Sequence, residues 1–144
     1  MNLRDARDLA LRLMAEHGLA GWTFVWDSAI RRLGQCDFKR RRISLSIQPA
    51  ELRPISEVRN TILHEIAHAL VGEYHGHDST WRAMAIRIGC DGRRCSASSF
   101  TVPRKWTALC PTKTCPNYGV LGKSHRRRKL ICRKCQAHIK YVLA

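Results

Sequence analysis

Two histidines and a glutamate stand at a spacing that can bind and use a metal ion. His64, Glu65 and His68 form the pattern H-E-x-x-H. On a helix, His64 and His68 lie one turn apart on the same face, so both imidazoles can reach one zinc ion. Glu65 lies about 100° further round the helix, beside the metal rather than bound to it. The pattern predicts a catalytic zinc with Glu65 as general base. The alternative is a helix whose histidines only cap or form hydrogen bonds.

The third ligand must come from the residues that follow, because catalytic zinc usually takes three protein ligands and leaves the fourth position to water. The candidates are Glu73, His75 and His77. We expect Glu73 to lie on the same helix and to point elsewhere. The metzincin pattern H-E-x-x-H-x-x-G-x-x-H does not fit, because Gly72 and His75 each fall one residue too late. His77 directly precedes Asp78, the expected start of another helix, so we predict His77 as the ligand, with His75 as the alternative.

Four cysteines near the C-terminus have the spacing of a second kind of zinc site. They form two pairs separated by 16 residues: Cys110, Cys115, Cys132 and Cys135. Four thiolates leave no open coordination position, so this zinc is predicted to be structural. Because so short a segment cannot build a sufficient hydrophobic core, the metal should supply its folding free energy. The alternative is four free thiols.

Together these motifs resemble the SprT-like metalloprotease family, which includes Spartan. The resemblance consists of the H-E-x-x-H motif, a short return loop, and His77 with an aromatic residue, Trp81, four positions later. The cysteine-paired segment is similar to the zinc ribbon of bacterial and phage members. The family commonly has glycine after the third histidine, where this chain has Asp78. The resemblance covers roughly residues 1–140 and implies proteolysis of proteins on DNA, notably proteins crosslinked to it.

Charge divides the chain into two parts. Residues 1–102 hold 15 Lys+Arg and 11 Asp+Glu, whereas residues 103–144 hold 11 Lys+Arg and no acidic residue. A polar connector from Cys90 to Ser99 precedes the boundary. We predict an α+β fold, with a core of helices and a small sheet over residues 1–102 and a basic four-cysteine zinc ribbon over residues 103–144. The resemblance implies that the core is a zincin-like metalloprotease.

The second part is expected to bind DNA, single- or double-stranded. A segment without carboxylates suits a polyanion, whereas a surface that serves only solubility mixes both charges. Tyr118 and Tyr141 are candidates for stacking on bases. The expected phosphate contacts lie near the tip of the ribbon: Lys123, Arg126, Arg127, Arg128 and Lys129. No side chain is identified as reading a base, so binding should depend on salt and only weakly on sequence.

Three helices are predicted to support the metal motif. Residues 2–18 and 79–89 have apolar positions at helical spacing and end at glycine. Pro54 and Ser56 open the helix that carries the two motif histidines, with Ser56 as its N-cap. The third-ligand candidates lie between the last two helices, so a short return loop must bring them back to the metal.

Three strands are predicted in the first part of the chain. Residues 22–27 are aromatic and β-branched, and two further strands flank the basic turn Lys39–Arg42. The last strand, Ile43–Ile47, alternates apolar and polar residues. Sheets beside such a metal helix commonly present an edge that pairs with an extended substrate, and Ile43–Ile47 is our candidate for that edge.

The remaining features favour a cytoplasmic protein, associated with the nucleoid if bacterial and in host cytoplasm if phage-encoded. The N-terminus has no apolar signal-peptide core, and no apolar run approaches the ~20 residues of a membrane span. Seven cysteines, four at metal spacing, suit a reducing compartment. We expect a monomer without a membrane partner. Cys36, Cys90 and Cys95 are expected to be structural thiols, and the alternative for Cys90 and Cys95 is half of another zinc site.

Two functions from different classes fit these patterns. The first is a zinc endopeptidase acting on proteins near DNA, with Tyr74 and His75 as candidates for stabilising the oxyanion. The second is a zinc-stabilised nucleic-acid-binding module with little or no protease activity. Glu65 favours the first, because a purely structural zinc site does not need that carboxylate. A metal-dependent nuclease is disfavoured, since such sites usually use carboxylates and two metals.

Overall fold

The computed structural model describes residues 1–94 and 102–144. The chain forms two compact units, Met1–Val102 and Pro103–Ala144. The described part of the first unit combines four helices with a three-stranded sheet, and the second unit is a small sheet beside a cluster of cysteines. The predicted α+β class is confirmed. No helix within the described ranges is long and apolar enough to cross a bilayer.

The helices of the first unit begin at polar caps or at proline. They are α1 (Leu3–Glu16), α2 (Ile47–Glu51), α3 (Ile55–Val71) and α4 (Ser79–Arg87). Asn2 Oδ1 accepts a hydrogen bond from the Arg4 N–H at 2.8 Å and starts α1. Asp78 Oδ1 accepts one from the Trp81 N–H at 2.9 Å and starts α4. Each cap satisfies an N–H that the helix leaves without a partner.

Helix α3 carries the H-E-x-x-H motif and differs from the prediction at both ends. Pro54 occupies the N-cap position without a side-chain hydrogen bond, and Ser56, the predicted N-cap, lies in the first turn. The prediction for Ser56 is therefore wrong. At the other end Gly72 adopts φ +95°, and its N–H donates to the His68 carbonyl at 3.0 Å. Glu73 therefore lies beyond α3, not on it as expected.

The sheet of the first unit has the strand that follows the basic turn at its centre. Its strands are β1 (Thr23–Asp27), β2 (Gly34–Asp37) and β3 (Arg42–Ser46), in the order β1-β3-β2. β3 runs parallel to β1 and antiparallel to β2. The prediction that Ile43–Ile47 forms a free edge is wrong, because β3 has partners on both sides and Ile47 already belongs to α2. The strand of this hairpin that lies at an edge is β2.

Apolar packing holds α3 in place. This helix contacts α1, α4, β2 and β3. Five of its apolar side chains are fully buried: Val58, Ile62, Leu63, Ile66 and Ala67. Burying one large aliphatic side chain contributes about 1.5–3 kcal/mol. The ligand-bearing helix is thus anchored by several such contributions, and its motif side chains are presented from a fixed backbone.

The second unit is a sheet with three antiparallel strands and a minimal core. Its strands are β4 (Trp106–Cys110), β5 (Gly119–Ser124) and β6 (Lys140–Leu143), in the order β5-β4-β6. The buried cluster consists of Cys110, Cys115 and Cys132, with Cys135 and Ile139 packed against it. The segment that leads into Cys110 forms strand β4. The segment before Cys132 forms only an isolated bridge between Ile131 and His138.

Candidate metal centres

Three imidazoles converge at the C-terminal half of α3 and the loop that follows. His77 Nε2 lies 2.9 Å from His64 Nε2 and 3.1 Å from His68 Nε2. Zinc–nitrogen bonds of about 2.0–2.1 Å in a tetrahedral site hold two nitrogens about 3.3–3.4 Å apart. The spacing of the three Nε2 atoms is therefore close to what one zinc ion requires, and the donor set leaves a fourth position for water.

His75, the alternative third ligand, is engaged elsewhere. Its Nδ1 lies 2.7 Å from Asp78 Oδ2, whereas the group of potential metal ligands contains His64, His68 and His77. Gly72 turns the chain at the end of α3, and Asp78 caps α4, so His77 is held between two fixed helix ends.

The histidines are in the protonation state that binds metals. Burial, followed by the proximity of His68 and His77, lowers the pKa of His64 to about 4. Burial and then His77 lower the pKa of His68 to about 4, and burial also lowers the pKa of His77. At neutral pH the three rings are therefore neutral and can offer lone pairs to a cation.

Trp81 forms the floor of the histidine cluster, a role that the sequence analysis missed. Its side chain is 1% exposed. Its ring centroid lies 4.6 Å from those of His64 and His77 and 5.2 Å from that of His68, onto which it stacks. One indole thus fixes the orientation of all three imidazoles. The position of Trp81 four residues after His77 is the available signal, but helical spacing does not specify a contact with the imidazoles.

Glu65 is buried beside the imidazoles and points to strand β2. The residue is 8% exposed, and its carboxyl accepts a hydrogen bond from the Cys36 backbone N–H. Burial raises the pKa of Glu65 to about 7, against the charge of Arg32 and the bond from Cys36, which lower it. A carboxylate whose pKa lies near the ambient pH can accept a proton and give it back.

Gly34 lets β2 approach α3 at this point. A Cβ atom at Gly34 would lie 2.8 Å from Thr61 Cγ2, closer than such contacts allow, and 3.1 Å from Glu65 Cγ, a tight contact. No other residue fits here without displacing the helix or the carboxylate. The sequence analysis did not single out Gly34, because the contact joins segments about 30 residues apart in the chain.

An open cleft of about 320 Å³ lies over the three histidines. β2 forms one wall and α3 with its return loop forms the other. The lining residues are Gly34, Gln35, Cys36, Phe38, His64, Glu65, His68, His75 and His77. Of the two oxyanion candidates, His75 lines the cleft, whereas Tyr74 is 92% exposed and does not.

The four predicted cysteines also come together, in the second unit. Cys110 Sγ lies 3.6 Å from Cys135 Sγ, and Cys115 Sγ lies 3.8 Å from Cys132 Sγ. Zinc–sulfur bonds of about 2.3 Å in a tetrahedron separate two sulfurs by about 3.8 Å. Three of the four thiols are at most 7% exposed. This set fits a closed, structural zinc site.

Backbone and amide N–H groups favour the thiolate form at Cys132, whereas burial raises the pKa of Cys115 to about 12 in the absence of a metal. The N–H groups of Cys135 and then Lys134 lower the pKa of Cys132 to about 6. Asn117 donates its backbone N–H to Cys115 Sγ at 3.3 Å and its side-chain amide to Cys132 Sγ at 3.7 Å. Such N–H···S bonds orient the ligands of a thiolate site and offset part of its negative charge.

The basic residues predicted to contact DNA are all exposed, and they follow β5 instead of forming a hairpin tip. Lys123 lies in β5, and the other four lie in the segment that follows it: Arg126, Arg127, Arg128 and Lys129. The guanidinium of Arg127 stands 4.8 Å above the ring of Trp106, a cation–π contact that fixes one of these charges. Tyr118 is 55% exposed, and Tyr141 lies with Arg128 beside a cavity of about 550 Å³.

The remaining cysteines differ in their surroundings. Cys36 is half-buried in the cleft, and burial, followed by the charges of Glu65 and Asp37, raises the pKa of its thiol to about 12. Cys90 is 5% exposed and belongs to the core of the first unit. Cys95 lies outside the described residues, as does half of the predicted connector. The alternative of a zinc half-site formed by Cys90 and Cys95 therefore stays a prediction.

Comparison with known families identifies the first unit. The model of the SprT-like family matches residues 7–101. The chain belongs to the SprT-like family. The match begins within α1 and extends past α4, includes the H-E-x-x-H motif and His77, and ends before the cysteine cluster. No curated protein matches the chain. In this SprT-like chain the histidine cluster therefore lies inside the matched residues, and the cysteine cluster lies outside them.

Proposed function

We propose that this SprT-like protein is a zinc-dependent endopeptidase that acts on proteins bound or crosslinked to DNA. The observation that carries the proposal is the position of Glu65, buried beside three convergent imidazoles at an open cleft. A purely structural zinc site has no use for such a carboxylate. The family, which is generally associated with metalloprotease activity, supports the same conclusion.

The roles of the site residues follow from their positions. His64, His68 and His77 would hold the zinc ion, which polarises the scissile carbonyl and acidifies a water molecule. Glu65 would act as the general base that accepts a proton from the attacking water and returns it to the leaving amine. Trp81 keeps the three imidazoles in register beneath the reacting groups.

The open edge of β2 is the proposed place for the substrate backbone. This strand has β3 as its strand partner, and it lines the cleft from Gly34 to Cys36. An extended peptide that adds to a sheet edge obtains main-chain hydrogen bonds without sequence specificity. β2 thus takes the role that the sequence analysis gave to Ile43–Ile47.

The second unit supplies the proposed attachment to DNA. Its 11 Lys+Arg residues face no acidic residue of their own unit. Phosphate contacts by the exposed run from Arg126 to Lys129 would give sequence-independent binding. The protease would then find its substrates by their presence on DNA. A binding module without protease activity is the competing function, and its supporting observation is the same basic unit.

The decisive experiment replaces Glu65 with glutamine. Glu65→Gln keeps the shape and hydrogen-bonding capacity of the side chain but removes the proton acceptor, so zinc content and fold should be retained. Cleavage of an unfolded or DNA-bound protein should fall by about 10²–10⁴-fold. Wild-type and variant proteins are compared after their zinc contents have been matched. Equal cleavage by both would overturn the role of Glu65, and absence of cleavage by both would favour the binding module.

A further inference from the structure

The net charge of the first unit is concentrated in one turn. Residues 1–102 hold 15 Lys+Arg and 11 Asp+Glu, and the basic turn Lys39–Arg42 alone supplies four consecutive cations. Without this turn, positive and negative residues of the first unit would be equal in number. All four side chains are exposed. Because surfaces that serve only solubility intersperse both signs, such a concentration indicates an anionic partner.

The turn presents its cations from an ordered backbone. Asp37 Oδ1 accepts a hydrogen bond from the Arg40 N–H at 3.0 Å, and Asp37 Oδ2 accepts one from the Arg40 guanidinium at 3.2 Å. The Arg41 carbonyl accepts a hydrogen bond from the Thr23 N–H at 2.9 Å, although Arg41 has φ +48°. Arg40 is therefore a structural residue of the turn. Lys39, Arg41 and Arg42 are exposed on the turn that Arg40 stabilises.

Three of the four cations are available to a ligand. Among the described residues, Lys39, Arg41 and Arg42 form no salt bridge, in contrast to Arg40. The guanidinium groups of the two arginines can each donate two hydrogen bonds to a phosphate, which lysine cannot do in the same planar geometry. The half-buried ring of Phe38, directly before Lys39, meets the half-buried ring of Trp22 edge to face at 6.0 Å. Exposed cations next to aromatic residues are typical of surfaces that track a nucleic-acid backbone.

We propose that the basic turn is a second nucleic-acid-binding surface, carried by the catalytic unit itself and independent of the cysteine cluster. Phe38, the residue before Lys39, lines the histidine cleft. Three residues of extended chain span at most about 10 Å, so a phosphate bound at the turn would lie near the end of the cleft wall. A protein held on this nucleic acid would then be close to Glu65, and this consequence for proteolysis rests on the proposed function. The binding of nucleic acid by the turn does not depend on the proposed function.

The test compares two triple variants of the full-length protein with equal loss of charge. In the turn variant, Lys39→Gln, Arg41→Asn and Arg42→Gln are combined, with asparagine at 41 because it tolerates the positive φ. Arg40 is kept, since it holds the turn. The matched control replaces three exposed arginines on helices: Arg4→Gln, Arg7→Gln and Arg87→Gln. All proteins carry Glu65→Gln, so the assay does not depend on proteolysis and a failed protease assay leaves it interpretable.

Binding to a labelled duplex oligonucleotide is measured over a range of salt concentrations. Each lost phosphate contact reduces the slope of log K against log salt by about 0.9. The turn variant should therefore lose about 2–3 in slope, while the control should keep the unmodified slope. In a background with Arg126, Arg127, Arg128 and Lys129 replaced by alanine, the turn variant should abolish the binding that remains.

Three results would overturn the proposal. Equal slopes for the turn variant and the control would show that only net charge matters. If the four alanine substitutions by themselves abolished binding, the first unit would have no measurable nucleic-acid-binding surface. Equal loss of affinity for duplex DNA and for polyglutamate in the turn variant would show that the turn binds polyanions in general and is not a nucleic-acid-binding surface.

Discussion

The two candidate metal centres sit in units that are stabilised in opposite ways. Around the histidines, α3 is buried against two helices and two strands, and its ligands project from a backbone fixed by apolar packing. Around the cysteines, the ligands are themselves the buried cluster, with Ile139 as the main apolar neighbour. A catalytic site benefits from a frame that exists before the metal arrives. A small attachment unit can instead leave its folding to the metal.

The largest effect should follow from breaking the cysteine cluster. Cys132→Ser removes one of four ligands from a unit with almost no other core, and structural zinc contributes about 10–16 kcal/mol to such folds. The second unit should unfold completely while the first stays folded. Unfolding would make the 11 basic residues of the second unit accessible to trypsin. Trypsin digestion together with the zinc content therefore measures the unfolding of this unit.

Cys36→Ser is the matched control, because Cys36 lies outside both ligand sets. It should retain two zinc equivalents and a protected second unit. If Cys132→Ser left the second unit protected from trypsin, a metal-dependent fold for that unit would be refuted.

Breaking the histidine centre should give the converse result. His77 is exposed and lies on a loop, so His77→Ala removes a ligand without opening a cavity in the core. The variant should lose one zinc equivalent and all proteolysis. Without zinc, its unfolding free energy should stay within about 0.5 kcal/mol of that of the unmodified protein. His75→Ala, two residues away on the same loop, should keep both zinc ions. Loss of zinc in His75→Ala alone would reverse the choice of third ligand.

The contrast between the centres also explains what the sequence could predict. Ligand sets are local: His64 and His68 share a helix face by spacing alone, and His77 follows within one loop. The four-cysteine cluster is likewise encoded by two short pairs. The order of strands could not be predicted in this way. The alternation in Ile43–Ile47 indicates a strand with a buried face, but it does not indicate which strands flank it. The placement of Trp81 beneath the imidazoles depends on how α4 packs on α3, which no local pattern specifies.

A smaller effect should come from the contact that locates Glu65. Gly34→Ala places a methyl group within 2.8 Å of Thr61 Cγ2, so β2 and α3 must separate. We expect a loss of about 1–3 kcal/mol in the unfolding free energy of the first unit, as for other overpacked sites. Chemical denaturation of the zinc-free protein measures it. Gly76→Ala is the control, since no atom lies within 4 Å of its added Cβ and its backbone φ is not positive. Equal stability of both variants would contradict close packing at Gly34.

The last difference between the units concerns acid. Burial alone would raise the pKa of Asp27, but hydrogen bonds from Ser44, the Ala29 N–H and Ser46, with the charge of Arg32, outweigh it and lower the pKa below 3.8. Both serine hydroxyls donate to this carboxylate at 2.7 Å. Asp27 thereby joins the end of β1 to the buried polar positions of β3.

A group whose pKa is lowered by folding stabilises the protein fully above its unfolded pKa, and this contribution is lost as pH falls through the folded pKa. For the zinc-free protein, we therefore expect the unfolding free energy of the first unit to decrease as pH falls below about 4. Asp27→Asn should flatten that decrease, whereas Asp8→Asn, on the exposed face of α1, should leave it unchanged. Denaturant titrations between pH 2 and 6 decide the matter. An unaltered decrease in Asp27→Asn would mean that other carboxylates control the acid stability of a unit that does not need its metal to fold.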